Sequence, residues 1–441
     1  MTASGRNFDV VVAGGGPAGI CAAVQAARTG AATLLVEKTA LLGGAITSGG
    51  VAFPGIFHAH GRQVIAGIGW DLVRRTIEEV GGEMPDFSRG FGKKHWTHQI
   101  RIDGAAFAAL VDEEVTGSGA QLLLHAMPAA ARRAADGSWE LDLCLKEGLR
   151  TVGAKTLVDA TGDANLAALA GCRLERGEVL QPGTLMMRCG GYDPKALDYP
   201  ALEAALGAAV ERGEISFQDL GRKDDACRMF LTARGQNRNH IVDVDGYGSE
   251  GRTAAELAAR RSMLRILRFF RRQPGLESFR VESFAPECGI RETRTVAGRA
   301  RITGRDYMAG RIWPDALCYA FYPIDIHTDD GLDVDMRHLA DGVVPTVPRG
   351  ALLPEGVGNF LVAGRIISSD RESNSALRVQ GTCMATGQAA GALAALAAKS
   401  GRAPEELPLA EVRKLLRDNG AIVPRSEEHT SEIQSRPVIS Y

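Results

Sequence analysis

Residues 8–38 read FDVVVAGGGPAGICAAVQAARTGAATLLVEK. A β-branched apolar run at 8–13 breaks at three glycines, a small-residue stretch follows at 17–29, and Gly30 ends it before a second apolar run at 33–36. Short β-branched runs read as strands; a stretch opened by proline and closed by glycine reads as a helix. The result is a βαβ unit of about 30 residues. Within it Gly14, Gly16 and Gly19 form GxGxxG between strand and helix, and Glu37 ends the next strand about 20 positions on. Glycines there permit a tight turn, let backbone N–H groups approach a pyrophosphate, and allow close helix–strand packing. The helix N-terminus favours phosphate charge, and a carboxylate at that distance accepts hydrogen bonds from a ribose diol. The stretch predicts a dinucleotide site holding Gly14, Gly16, Pro17, Ala18, Gly19, Glu37 and Lys38; a purely structural glycine turn is the alternative.

The rest of the chain extends this layered pattern. Asp103 can cap a helix reaching Thr116, and apolar runs follow at 121–124, at 156–160 and at 359–363. Small-residue and amphipathic helices are expected at 382–399 and 407–419. From about 190 to 341 the texture changes to charged helices, such as 253–272, mixed with short strands. The predicted fold is α/β. A split Rossmann-like domain occupies 1–189 and 342–424, with 55–100 open to association with a cap, and an α+β substrate or cap domain is inserted at 190–341. Residues 425–441 contain RSEEHTSEIQS, which reads as translated sequencing adapter or as an unstructured tail, and they are set aside.

Composition narrows the function classes. The 441 residues carry 51 Lys+Arg and 53 Asp+Glu, so a net charge of -2 demands neither a nucleic-acid nor an acidic-membrane partner. Glycine is over-used, 53 residues or about 12% against an average near 7%, without a collagen period. No apolar stretch approaches the roughly 20 residues of a membrane span, and no secretory leader is visible, which predicts a cytoplasmic protein. The eight scattered cysteines form no CxxC, so neither a disulfide framework nor a metal site is expected.

The stretch LGGAITSGG at 42–50 decides which dinucleotide. Its crowded N–H groups and hydroxyls, among them Gly43, Gly44 and Thr47, exceed what NAD needs there and suit a flavin ring with its ribityl chain. The chain here resembles the FAD-dependent oxidoreductases of the glutathione-reductase-like flavoprotein superfamily, in the branch that resembles fumarate reductases. Further matches are LVDATGDA at 157–164, GIRETRTVAGR at 289–299, YPIDIH at 322–327 and the block at 352–391. The resemblance implies FAD as cofactor, with Ala160, Thr161, Gly162 and Asp163 as a second fingerprint. It also implies Gly364 and Arg365 at a third strand end, then Cys383, Met384 and Ala385 at a helix start whose N–H groups face the reduced ring.

Hydride exchange with a flavin needs a substrate clamp and an acid or base for the partner proton. The candidates are His327 as acid or base, Asp325 as its orienting partner, and Arg291 or Arg378 as clamp, with His58 behind the glycine-rich loop. A solvated or salt-bridged face is the alternative for each arginine. Absence of a second GxGxxG and of a cysteine pair argues against an NAD(P)H domain and a disulfide reductase. The expected partners are a small-molecule substrate and a separate electron acceptor or donor. A flavin monooxygenase, a non-catalytic flavin-binding redox module and an NAD-dependent dehydrogenase are the competing readings.

Overall fold

The computed structural model describes residues 7–88, 92 and 94–424; the segment set aside at 425–441 lies outside them. The strand Asn7–Ala13 is the centre of a seven-stranded sheet. Thr33–Val36 pairs with it in parallel on one side and Gln121–Leu123 extends that edge. On the other side lies the long strand Gly148–Asp159, parallel in register Val12↔Val158. That strand is long because its two ends serve different neighbours. Its first half pairs antiparallel with Trp139–Leu145, which continues to Met127–Arg133, while its last three residues run parallel to Phe360–Val362. The antiparallel extension carries alternating burial, not the continuous apolar run by which the parallel strands announce themselves. The split predicted from sequence is visible here, because Phe360–Val362 returns to the sheet some 200 residues after Gly148–Asp159.

The helices Pro17–Arg28 and Gln380–Ser400 cover the sheet and lie on each other. Their approach is backbone to backbone: a Cβ added at Gly387 or Gly391 would stand 2.0 or 2.2 Å from the carbonyl oxygens of Ala18 and Ala22. The two glycines are therefore packing residues. Gly104–Gly117 is capped as its sequence predicts, Asp103 Oδ1 accepting from the N–H groups of Ala105 and Ala106 at 2.9 and 2.8 Å.

A second core gathers buried side chains from Leu185 to Ile290, including Phe230, Phe269 and Phe270, around the helices Tyr199–Glu211 and Ser249–Phe270. Its extent differs from the boundary read in the sequence. Val296, Tyr307 and Leu317 pack into the first core, because the apolar strands Ala316–Tyr319 and Thr346–Pro348 pair with each other and Ala316–Tyr319 lies against Gln380–Ser400. Ile56, Phe57, Ile68 and Leu72 also belong to the first core, which places most of 55–100 there and not on the cap. Among the described residues no helix is long and apolar enough to cross a membrane.

Candidate active site

A cavity of about 1120 Å³ opens between the two cores, at the carboxyl ends of the parallel strands. Gly14, Gly16, Pro17, Ala18, Glu37 and Lys38 line one end. Gly14 has φ +99°, and a Cβ there would meet Ala160 O at 2.5 Å; at Gly19 it would meet Gly14 O at 1.7 Å. Both glycines shape the turn, and Gly19 does so from outside the cavity. Gly16 is different. Nothing lies within 4 Å of its added Cβ, and no side chain caps the helix N-terminus it begins. The cradle is thus open where a diphosphate would approach the first-turn N–H groups. Glu37 Oε2 accepts from Gly15 N at 2.7 Å and Oε1 from Thr39 N and Oγ1 at 2.8 Å, which fixes the carboxylate at the cavity edge with lone pairs to spare.

Gly44 lies against Gly16, its added Cβ 2.9 Å from the Gly16 Cα, and borders the cavity with Ala45, Ser48 and Gly49. Gly43 and Thr47 face away from it. Gly43 N donates to Gly15 O at 2.8 Å and Thr47 Oγ1 to Leu42 O at 2.7 Å, so both serve the loop's own shape. Of the three loop residues expected from sequence, Gly44 borders the cavity and Gly43 and Thr47 do not, because a pattern of glycines and hydroxyls does not show which side of the turn each occupies.

Ala160, Thr161, Gly162, Asp163, Gly364 and Arg365 converge on the cavity from two strand ends. Asp163 pairs with Arg365 at 2.7 Å and with Arg252 of the second core at 3.0 Å. Burial alone would push its pKa up; the Arg365 and Arg252 guanidiniums more than offset that and hold it below the usual carboxylate range. Cys383 also lines the cavity, with Sγ 3.1 Å from Arg378 O. Met384 and Ala385 require a correction. The helix begins at Gln380, so both sit in its second turn and border no part of the cavity, and Met384 packs on Gly69. The first-turn N–H groups are those of Gln380, Gly381 and Thr382, of which Gly381 donates to Pro54 O at 2.9 Å. Gln380 Oε1 is buried at the cavity with no protein partner.

Four of the five proposed catalytic side chains, His327, Asp325, Arg291 and Arg378, line the same cavity. His58 does not. It stacks on Phe87 at 3.9 Å, against Trp70, in the first core's flank. Arg291 donates to Pro182 O at 2.5 Å, and Arg378 to Asp325 O at 2.9 Å and Gln181 Oε1 at 3.3 Å. Neither has a carboxylate ion pair among the described residues. Asp325 Oδ1 stands 3.7 Å from His327 Nε2, outside hydrogen-bond range. His327 is instead positioned by its backbone N–H, which donates to Gln181 Oε1 at 3.0 Å, and by His240, whose ring meets it edge-on at 5.1 Å.

Neither Gln181 nor His240 carried a sequence signal. His240 Nδ1 donates to Gly331 O at 2.6 Å, which leaves Nε2 as a buried acceptor with no protein partner; His327 Nδ1 and Thr184 Oγ1 are orphaned likewise. Burial first, then the Arg291 charge, pushes His240 down to about 4, and the same causes with His240 and Arg378 push His327 lower. Both rings are neutral at pH 7.

A pH dependence follows. An unfolded histidine titrates near 6.5, so below that pH the unfolded chain binds protons that the folded chain refuses. Stability is fully present above about 6.5 and falls with acidity, by about 1.4 kcal/mol per pH unit per histidine, until pH reaches the folded value. His58, pushed down to about 4 by burial and then by His98, adds to the same window. Urea unfolding between pH 7 and 5 is expected to show this decline, and His240→Gln to reduce its slope by close to one proton. An unchanged slope would mean that His240 is not held neutral.

No curated protein matches the chain. Among solved structures, AlpK is 14% identical over 92% of this chain and 66% of its own, with a TM-score of 0.39. OxyS, anhydrotetracycline hydroxylase from Streptomyces rimosus, is 19% identical over 43% of this chain and 39% of its own, with a TM-score of 0.32. Thermovibrio ammonificans THI4 is 20% identical over 38% and 64%, with a TM-score of 0.27. The chain spans only 38–39% of the length of the first solved structures it resembles. The model of the FAD dependent oxidoreductase family matches residues 9–416, nearly all of the described length, and the chain belongs to that family.

Proposed function

We propose that this FAD-dependent oxidoreductase transfers a hydride between a C–H bond of a small organic anion and its flavin. The observation that carries the reading is the wall of Arg291, Arg378, His327 and His240 on the same cavity as the Gly14–Ala18 turn, with cations that lack carboxylate partners and neutral rings with orphaned nitrogens. FAD, when bound, supplies a two-electron acceptor or donor at ring N5. The open cradle at Gly16 suits its diphosphate, and Gln380 with the helix start suits the polar edge of its ring.

The chain's own residues do the rest. Arg291 and Arg378 grip a carboxylate, fixing the reacting carbon and excluding water from it. His327 takes or gives the partner proton at Nδ1. The bound anion matters to that step: it offsets the guanidinium charges that disfavour the imidazolium, and so raises the proton affinity of His327 in the complex. A separate electron carrier closes the balance.

Anaerobic addition of hydroxy acids, enoates, sugars and amines to the yellow protein tests this. Acids are expected to bleach the flavin where neutral sugars do not. His327→Gln should retain FAD while slowing bleaching by about 100-fold or more. A protein that no panel member bleaches, but that consumes NAD(P)H and oxygen in fixed proportion, is a monooxygenase and refutes the proposal. Flavin retained with neither activity would point to a redox module.

A further inference from the structure

Nine arginines border the cavity, against five carboxylates. Arg188 is paired with Glu282, and Arg252 and Arg365 with Asp163. Arg291 and Arg378 serve the reacting end. Arg222, Arg234 and Arg238 make a separate group on the second core, and among the described residues their guanidiniums have no hydrogen-bond or ion-pair partner. The Nε of Arg222 is even buried without one.

Their backbones are firmly held. Gly221, at φ +72°, lets the turn bearing Arg222 press against the segment bearing Arg238: an added Cβ would stand 2.2 Å from Arg238 O and 3.3 Å from His240 Cε1. Arg234 O accepts from Cys189 N at 2.8 Å, and Arg238 leads directly into the strand Asn239–Ile241, which pairs with Gly183–Leu185. Burial, then the neighbouring Arg222 charge, lowers the Arg238 pKa, so Arg222 and Arg238 feel one another. Like charges pinned together without a counter-ion repel, and a bound anion relieves the repulsion. The cofactor's diphosphate does not account for them. The turn that suits it belongs to the first core, whereas this group connects to Arg291 through His240, which feels both the Arg291 and the Arg238 charge.

We infer that Arg222, Arg234 and Arg238 form a second anion subsite, so that the substrate is a small dianion with one charged group at Arg291 and Arg378 and the other, a carboxylate or a phosphate, here. His240 stands between the two. The statement about substrate rests on the hydride-transfer reading; the statement about binding does not.

The test is calorimetric titration of the FAD-loaded protein with inorganic phosphate, with glutarate, and with propionate as a single-anion control. Phosphate or glutarate is expected to saturate the wild type. The double variant Arg222→Gln/Arg238→Gln should weaken that ligand by at least about tenfold and change propionate by less than about twofold. Arg234 is exposed, so Arg234→Gln tests the subsite without disturbing packing, and an affinity loss of about threefold is expected. Preference for phosphate assigns the subsite to a phosphate monoester, and preference for glutarate to a dicarboxylate. Binding unaltered in these variants, or no binding of either ligand, overturns the subsite. Arginine-dependent binding in a protein whose flavin nothing bleaches sustains the subsite and refutes only the hydride-transfer reading.

Discussion

Gly16→Val is expected to give a folded, colourless protein. The substitution is conformationally mild: Gly16 sits at φ -75° and ψ -178°, extended backbone that any L-residue adopts, and its added Cβ has nothing within 4 Å. The valine methyls have one place to go, the open cradle above the first helical turn. A diphosphate can no longer reach those N–H groups, and FAD affinity should fall by at least about 100-fold, or about 2.7 kcal/mol. The thermal midpoint of flavin-free Gly16→Val should match that of flavin-stripped wild type within a few degrees. Gly387→Ala supplies the contrast, since its Cβ would stand 2.0 Å from Ala18 O and must force two helices apart; it should lower stability before it touches flavin affinity. The measurements are the flavin-to-protein absorbance ratio after gel filtration and a far-ultraviolet melt. Stoichiometric yellow colour in Gly16→Val would show that the cofactor does not lie over this turn.

The contrast between Gly16 and His240 also explains what could be read from the chain. A backbone cradle is local: strand, turn and helix lie within 31 residues, and glycine is the side chain that permits both a φ of +99° at Gly14 and open space at Gly16. Such a site writes itself into sequence. The reacting end is assembled from Gln181, His240, Arg291, His327 and Arg378, which come from five separate segments and meet only after two cores have closed. A lone histidine in the strand Asn239–Ile241 has no spacing to betray it. His58 failed for the converse reason: its neighbourhood in sequence is glycine-rich, yet its ring is drawn into an aromatic cluster with Trp70 and Phe87. The last long helix begins at Gln380, two residues before the start expected from sequence, with the Gly381 N–H held by Pro54 O, a partner more than 300 residues away in the chain.

Asp163→Asn is expected to be the most destabilising isosteric change in the chain. The Asp163 carboxylate accepts from Arg365 at 2.7 Å, Arg252 at 3.0 Å and Thr293 Oγ1 at 3.2 Å, while its own carbonyl accepts from Arg294 at 3.0 Å. It therefore ties the turn after Gly148–Asp159 to the Gly364 strand end and to the second core's long helix. Asparagine keeps the shape and removes the charge, which leaves two guanidiniums with side chains 23% and 19% exposed and no counter-ion. Removing one partner of a buried pair costs about 3–5 kcal/mol, a large part of the about 5–15 kcal/mol by which a typical domain is stable. A stranded charge, unlike a packing defect, is relieved by removing its neighbour. Arg252→Met removes one stranded cation, so in the Asp163→Asn background it should cost less than it does alone, by about 1–2 kcal/mol in a double-mutant cycle of urea midpoints. Acid should reproduce the single variant. With its folded pKa held low by the two arginines, Asp163 contributes stability above about pH 4, the unfolded carboxylate value, and that contribution is lost as pH falls through the folded one. Strict additivity in the cycle would mean that solvent already compensates both arginines and that the Asp163 charge does not couple the two cores.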